Sequence, residues 1–567
     1  MKQKMVIYQV FTRLFGNDCR TCEPWGDKVT NGCGTMNDFT PRALQQIKAL
    51  GATHIWYTGI IEHATQTDYS QYGVEGDHPG VVKGIAGSAY AIRDYYDIDP
   101  DLADSCLARM SEFEALVERT HEAGLKFILD FVPNHVARRY KSDAAPEGVV
   151  DLGADDNQGM GFDPNNNFYY CPGDELHADF DLRGYHEWPA KATGNDNFGS
   201  WAHQNDWYET VKLNYGVDYV GGRVCHFDPI PNTWHKMLHI LLYWAAKGID
   251  GFRCDMAEMV PVEFWHWAIA KVKEQHPDII FIAEVYNPAE YRNYIHIGGF
   301  DYLYDKVGLY DTLRSVICQT SCASSITECW QQVGDIQEHM LNFLENHDEQ
   351  RLASDFFAGN AEKGRAALIV SACMGTNPMM IYFGQELGER GMDAEGFSGR
   401  DGRTTIFDYW TVDTIRRWRN EGKFDNRELT PKEVSLQQFY SRVLTLCNEE
   451  KAIREGEFFD LAYVNPRSEI FNPATQYAFI RRSGNEVLLI IANFDKYDAQ
   501  IGVKIPEHLF EYFNIEEANR IKANSLLSGD NFVVPFNSKD PINMLVPGCS
   551  GRILKFTCQS KSQAKAE

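Results

Sequence analysis

The sequence has few basic residues for its length and no long apolar run. It carries 54 Lys and Arg against 80 Asp and Glu in 567 residues, which gives a formal net charge of −26. Because nucleic acids and anionic lipid surfaces are polyanions, this balance disfavours both as partners and suits a neutral substrate. No stretch reaches the roughly 18 apolar residues that a membrane helix needs, so we expect no membrane segment.

The N-terminal residues also lack the features of a secretory signal. The opening residues, MKQKMVIYQVFTRLFGN, hold only a short mixed apolar stretch before Thr12 and Arg13. A secretory signal needs an apolar core of about 7–15 residues and a cleavage site. The 14 cysteines are irregularly spaced in a long chain, which is typical of reduced thiols rather than of a disulfide framework. Together these absences predict a cytoplasmic protein.

Strand-length apolar runs alternate with helix-period segments over the first 450 or so residues. The predicted strands are Val6–Phe11, His54–Thr58, Phe127–Phe131, Asp250–Cys254, Ile279–Ala283, a short one near Tyr302, His339–Phe343 and Met379–Phe383. The predicted helices are Pro41–Leu50, Met110–Ala123, Thr233–Lys247, Pro261–Gln275, Ser324–Gln337, Glu362–Met374 and Ser435–Cys447. Eight strands alternating with helices predict an α/β protein with a (β/α)8 TIM barrel.

Two segments depart from this alternation. Residues 136–225 contain many Gly, Asn, Asp and aromatic residues but no clear helix, and they are too long for an ordinary loop after the third strand. We therefore expect an inserted B domain there, between barrel parts at 1–135 and 226–453. Residues 454–558 show short strands with turn residues between them, which predicts a C-terminal antiparallel β-sandwich domain. Residues 559–567 are predicted to be a disordered tail.

Four short segments end predicted strands in residues that can do chemistry. They are DFVPNH at 130–135, GFRCDM at 251–256, FIAEVY at 281–286 and ENHD at 345–348. Side chains at the carboxyl ends of parallel barrel strands converge on one pocket. Asp255, Glu284 and Asp348 would then place three carboxylates together, which suits acid–base and nucleophilic attack on a glycosidic bond. Arg253 lies on the same strand face as Asp255 and could keep that carboxylate ionised.

In these four segments the chain resembles the α-amylase family, glycoside hydrolase family 13, and the resemblance extends over nearly its whole length. It implies that Asp255 is the nucleophile, Glu284 the acid/base and Asp348 the carboxylate that stabilises the transition state. It also implies that His135 and His347 contact the sugar and that Arg253 lies beside the nucleophile.

Two further segments extend the resemblance. In SAYAIRDYYDIDP, Tyr90 matches an aromatic residue that stacks on the sugar, and in TVKLN, Lys212 is expected to reach the cleft. Many calcium-dependent relatives have a His where this chain has Met259, although Asn134 matches another of their calcium ligands. The metal site is therefore unknown: no cofactor is expected to be required, although calcium is possible.

These expectations define a retaining hydrolase of α-1,4 links in starch-derived glucans and maltooligosaccharides. A 4-α-glucanotransferase or another transglycosylase would use the same three carboxylates, and the motifs do not separate the two activities. A non-catalytic glucan-binding protein is a remote third alternative, which the complete set of carboxylates argues against. The oligomeric state stays open.

Overall fold

A closed barrel of eight parallel strands forms the centre of the protein. The computed structural model describes residues 3–561. The barrel strands are β1 (Val6–Phe11), β2 (His54–Thr58), β3 (Lys126–Phe131), β4 (Gly251–Cys254), β5 (Ile280–Ala283), β6 (Tyr302–Tyr304), β7 (Met340–Phe343) and β8 (Met379–Tyr382). They pair in chain order and close by pairing of β1 with β8. The predicted barrel is thus confirmed, including its short sixth strand.

Alternation along the strands separates the barrel interior from the layer that faces the helices. Ile7, Trp56, Ile128 and Met380 pack inside the barrel. The neighbours of Ile7 on β1, Val6 and Tyr8, belong to the larger core between strands and helices. Side chains alternate between the two faces of a strand, so one apolar run supplies both cores.

Helices cover the outside of the barrel. The longer ones are Pro41–Ala49, Arg109–Glu122, Asn232–Ala245, Val262–Gln275, Arg365–Cys373 and Pro431–Glu449, with shorter helices at Tyr291–His296, Asp311–Ile317, Ile326–Gln332 and Asp413–Arg419. Local capping explains some of the starts. The Thr40 side chain accepts from the backbone of Ala43, and Thr430 forms a capping box with Glu433. The helix predicted at Ser324–Gln337 ends earlier, at Gln332, because Gly334 favours a turn there.

Two long excursions build the walls above the barrel. After β2, the strands Ile61–His63 and Ile92–Ile98 pair as an antiparallel hairpin, which the sequence did not predict. After β3, residues 136–225 form only very short strands and no helix within the described chain. The insert is tied back to β3 where His135–Ala137 pairs with Thr210–Lys212. Both excursions leave from the carboxyl end of the barrel.

The C-terminal segment is a two-sheet β sandwich, as predicted. Its strands are β9 (Glu457–Asp460), β10 (Gln476–Ser483), β11 (Glu486–Asn493), β12 (Ala499–Val503), β13 (Ala518–Ser525), β14 (Asn531–Phe536), β15 (Ile542–Val546) and β16 (Ser550–Thr557). A six-stranded antiparallel sheet in the order β9-β10-β11-β16-β13-β14 packs on the β12–β15 pair. Ile480, Leu489, Val503 and Ile542 share the buried core between them.

The C-terminal end of the chain pairs with the β-sandwich domain. Part of the predicted disordered tail is ordered: Gln559 accepts from the Glu516 amide at 3.0 Å, and the Lys561 amide donates to Asn514 at 3.0 Å. The rest of that tail, 562–567, lies outside the described residues.

All fourteen cysteines are free thiols. Within residues 3–561, no helix combines the length and the apolar character needed to span a membrane.

Candidate active site

The predicted carboxylates meet at the carboxyl mouth of the barrel. Asp255 and Glu284 directly follow β4 and β5, and these strands pair in parallel through Cys254 and Ala283. The ladder continues past them, since the Glu284 amide donates to the Cys254 carbonyl at 3.1 Å. Asp348 lies in the loop after β7 and lines the same cavity as the other two carboxylates.

Arg253 joins two of these carboxylates. Its guanidinium is fully buried; Nη1 donates to Asp255 Oδ1 at 2.8 Å and Nη2 donates to Glu284 Oε2 at 2.8 Å. The remaining donors reach Tyr304 Oη (3.1 Å) and Asp130 Oδ1 (3.3 Å). Because one planar fork holds both carboxylates, their relative position is fixed before any substrate binds.

Burial and mutual repulsion shift the pKa values of two of these carboxyl groups, Asp255 and Asp348. Burial raises the pKa of Asp255 well above its usual value, with Glu284 and Asp348 adding to the effect and Arg253 opposing it. Removal from water, followed by the Glu284 charge, raises the pKa of Asp348 to about 7, although its side chain is 41% exposed. Asp348 therefore holds a proton at a higher pH than an ordinary aspartate does, while the contact with Arg253 favours the ionised form of Asp255.

Two further groups hold the Glu284 carboxylate. The Met256 amide donates to Oε2 at 2.8 Å, and the Tyr286 hydroxyl donates to Oε1. Met256 adopts the left-handed region, with φ 42°, which is uncommon for a side chain of this size. This turn aims its amide at Glu284. Sequence reasoning did not single out Tyr286, although it stands two residues after Glu284 in the segment that carries the carboxylate.

Aromatic and imidazole rings lie beside the carboxylates: Tyr90 and His135 line the same cavity, and His347 lines an adjoining pocket. Tyr90 stacks on His347 with ring centroids 5.0 Å apart and planes 19° from parallel, and His347 Nδ1 lies 2.9 Å from Gln9 Nε2. Burial lowers the pKa of His347 well below its usual value, and burial together with Lys212 lowers that of His135 to about 3. Burial thus favours the neutral form of both imidazoles, and a neutral imidazole can both donate to and accept from hydroxyl groups.

These residues enclose a cavity of about 350 Å³. Tyr90, His135, Asp255, Glu284 and Asp348 line it as expected, and sequence reasoning missed Trp207, Phe407, Lys83 and Glu209. Lys83 Nζ lies 3.0 Å from Glu209 Oε2, so a nearly buried ion pair borders the cavity. These four residues lie in loops without a recognisable motif, so only the fold brings them to the cavity.

Lys212 does not reach the cleft. Its buried ammonium lies 2.7 Å from Asp196 Oδ1 and donates to Asn134 Oδ1 (2.5 Å) and to the Met259 carbonyl (3.3 Å). The expectation that it contacts substrate is therefore corrected. Two of these oxygens belong to the positions that resemble calcium ligands of relatives. The ammonium already supplies a positive charge at that place, so these residues do not fit an additional metal ion.

A barrel that gathers three carboxylates beside aromatic rings in one cavity is typical of carboxylate-dependent glycosidases. Residues 9–429 match the model of the alpha-amylase catalytic domain. The chain therefore belongs to the alpha-amylase family, glycoside hydrolase family 13, and is a glycoside hydrolase.

Curated relatives carry names from the same family. Alpha-amylase 3 of Dictyoglomus thermophilum is 24% identical over 473 residues, covering 80% of this chain and 78% of that protein. The intracellular maltogenic amylase of Bacillus subtilis strain 168 is 25% identical over 402 residues. That match covers 68% of this chain but only 56% of the relative. The chain thus spans little more than half of some of the curated relatives that it matches.

Solved structures share the architecture. The noncanonic maltogenic alpha-amylase AmyB of Thermotoga neapolitana superposes with a TM-score of 0.61 at 19% identity, covering 98% of this chain and 99% of that one. The alpha-amylase of Geobacillus thermoleovorans gives 0.63 at 18% identity, covering 98% and 99%. At this identity the likeness establishes the common fold.

Proposed function

We propose that the protein hydrolyses α-1,4-glucosidic bonds of maltooligosaccharides and related starch-derived glucans, with retention of anomeric configuration. The observation that carries the proposal is the shared contact of Arg253 with Asp255 and Glu284, 2.8 Å to each. One guanidinium cannot hold two carboxylates far apart. A short separation suits a retaining enzyme, whereas an inverting enzyme needs roughly 6.5–9.5 Å to admit water between them.

In the proposed mechanism Glu284 gives its proton to the leaving glycosidic oxygen while Asp255 attacks the anomeric carbon. A covalent glucosyl ester forms at Asp255, and the leaving sugar departs with the proton. The Glu284 carboxylate then takes a proton from water, which attacks the ester and releases the sugar and the Asp255 carboxylate. Hydrogen bonds from Tyr286 and Met256 hold Glu284 in one orientation during both steps.

The remaining residues bind the sugar. Asp348 lies at the cavity edge, where it can accept from a ring hydroxyl more strongly as positive charge develops in the transition state. Tyr90 and His135 line the cavity, so the Tyr90 ring can contact the sugar and His135 can bond to a hydroxyl group. His347, which stacks on Tyr90, lines the adjoining pocket and is placed to support that ring. Arg253 acts on the carboxylates, not on the sugar, because it does not line the cavity and its donors are taken up by Asp255, Glu284, Tyr304 and Asp130.

Transglycosylation is the second candidate, since a sugar hydroxyl can replace water in the second step. The aromatic rings of Trp207 and Phe407 on the cavity wall favour it, as they could retain an acceptor sugar. Product analysis after incubation with maltoheptaose, with and without excess glucose, distinguishes the two. Shorter products alone support hydrolysis. Products longer than the substrate would make the transferase the main activity, and no turnover would leave only a glucan-binding protein.

The proposed steps use the carboxyl groups of Asp255 and Glu284 without a metal ion. The Lys212 ammonium lies among Asn134, Asp196 and the Met259 carbonyl, where it supplies the local positive charge. We also propose that the enzyme acts inside the cell on imported maltodextrins. The name of the Bacillus subtilis relative, an intracellular maltogenic amylase, supports this location.

A further inference from the structure

A second group of carboxylates lies outside the cleft, where the hairpin after β2 meets the start of the insert. Glu62 and Asp94 are paired residues of the two hairpin strands, Asp97 follows on the second strand, and Asp143 belongs to the insert. One oxygen from each lies within 4.8 Å of one from each of the others. Glu62, Asp94 and Asp97 are buried, and Asp143 is exposed.

Asp94 already ties the insert to the hairpin. Its Oδ1 accepts from the Ser142 hydroxyl at 2.7 Å, and its Oδ2 accepts from the amides of Asp143 (2.8 Å) and Ala144 (3.0 Å). These hydrogen bonds fix the carboxylate in place. The same hydrogen bonds hold Asp143 beside the cluster, although Asp143 has no ion pair of its own among the described residues.

The charges of this group are not balanced. Arg109 is the one cation in hydrogen-bond contact among the described residues; it binds Asp97, with Nε donating to Oδ1 at 2.9 Å. Glu62 is only 3% exposed, and its Oε2 is buried without a hydrogen-bond partner. An unpartnered buried carboxylate is costly, so this oxygen points to a missing partner.

We propose that Glu62, Asp94, Asp97 and Asp143 bind one divalent cation with the size of calcium. Ligand oxygens lie 2.3–2.6 Å from Ca²⁺, so oxygens on opposite sides of the ion are about 5 Å apart, whereas around Mg²⁺ they are about 4.2 Å apart. Mg²⁺ is usually held by only one or two carboxylates and several waters, so a set of four carboxylates whose oxygens lie within 4.8 Å of one another suits the larger ion. The exposed Asp143 leaves a path for the ion and for the waters that complete its coordination.

This metal site is separate from the place that the Lys212 ammonium occupies. An ion bound here would act on the structure of the cleft wall. The ion would link the insert, through Asp143, to the hairpin that carries Glu62 and Asp94. Tyr90, which lines the active-site cavity, precedes the strand Ile92–Ile98 of that hairpin. Binding would therefore stabilise one wall of the cleft without taking part in catalysis.

The test uses the full-length enzyme after treatment with EDTA and removal of the chelator. Calorimetric titration with CaCl2 should show one ion bound per chain, and millimolar Ca²⁺ should raise the Tm by several degrees. Glu62→Gln has the same shape without the charge, and it should weaken Ca²⁺ binding at least tenfold and abolish the Tm shift. Without Ca²⁺ this variant should be at least as stable as the wild type, because an unpaired buried carboxylate has been removed.

Glu395→Gln is the matched control. Glu395 is also nearly buried with an unpartnered Oε2, but it lies far along the chain from this group, and its variant should keep the calcium response. Asp143→Asn, at an exposed position, gives a second test if Glu62→Gln fails to fold, and it should also weaken binding. The proposal would be overturned if the wild type bound no Ca²⁺, or if Glu62→Gln and Asp143→Asn both bound Ca²⁺ as tightly as the wild type does. An equal Tm shift with Mg²⁺ would overturn the assignment to a calcium-sized ion.

Discussion

Arg253 Nη1 lies 2.8 Å from Asp255 Oδ1, and both side chains are buried at the end of the same strand. The other arm of the guanidinium holds Glu284 at the same distance. A single cation therefore sets the position of the proposed nucleophile against that of the proposed acid. It also opposes the rise in the pKa of Asp255 that burial causes. The first two predictions test this arrangement.

We expect Asp255→Asn to lower kcat by at least about four orders of magnitude, because an amide cannot form the covalent intermediate. Thermal unfolding should stay close to that of the wild type, since the amide retains the shape of the side chain. Maltoheptaose hydrolysis and thermal unfolding are measured on the same preparation. Asp250→Asn, just before the other end of β4, is the control and should keep its activity. Turnover of Asp255→Asn within tenfold of wild type would remove Asp255 from its proposed role.

Arg253→Lys should lower kcat by about 10²- to 10³-fold, because one ammonium cannot span two carboxylates. The loss should appear mainly in kcat, since Arg253 does not line the cavity that receives the sugar. Steady-state kinetics with maltoheptaose separate kcat from KM. If the variant changes KM alone, Arg253 contacts the substrate, and its positioning role is wrong.

The ionised Asp348 side chain should destabilise the folded protein, so its replacement by a neutral residue should raise the Tm at high pH. Its pKa is raised to about 7 from an ordinary 3.8, so the folded state binds this proton more tightly than the unfolded state. The associated stability is fully present below about pH 4 and is lost as the pH rises through 7. Asp348→Asn should therefore raise the Tm relative to wild type at pH 8, and the difference should vanish near pH 4.

The size of this effect is limited by exposure. The Asp348 side chain is 41% exposed, so solvent screening reduces the gain to about 1 kcal/mol. Thermal unfolding at several pH values measures it, and activity should fall sharply in the same variant. A Tm difference that is independent of pH would show that the carboxylate is not strained by its surroundings.

Much of the fold and of the site could be predicted because strand patterns and strand-end residues are local. β1 to β8 follow from apolar runs, and Asp255 and Glu284 follow from their places after two of them. The hairpin at 61–98 was missed because one of its strands is only three residues long. The Lys212 side chain turns away from the cleft because its ammonium pairs with Asp196. Asp196 lies in an insert without sequence periodicity, so only the tertiary structure shows this pairing.

Lys212→Met should destabilise the fold by about 2 kcal/mol, because Asn134, Asp196 and the Met259 carbonyl lose their shared cation. Partial exposure of Asp196, at 31%, keeps the cost below that of a fully buried pair. Lys83→Met is the matched comparison: Lys83 borders the cavity, so its loss should raise KM more than it lowers the Tm. A Lys212→Met enzyme with unchanged Tm and raised KM would restore Lys212 to the cleft.

The last prediction concerns the configuration of the product. If Asp255 attacks from one face and water later attacks the ester from the other, two inversions leave the new reducing end in the α configuration. Proton NMR of the anomeric signals in the first minutes of maltoheptaose hydrolysis, before mutarotation, follows this directly. A reaction with added β-amylase, which releases the β anomer, calibrates the signals. An initial β product from this enzyme would contradict double displacement, and the shared contact with Arg253 would then need another explanation.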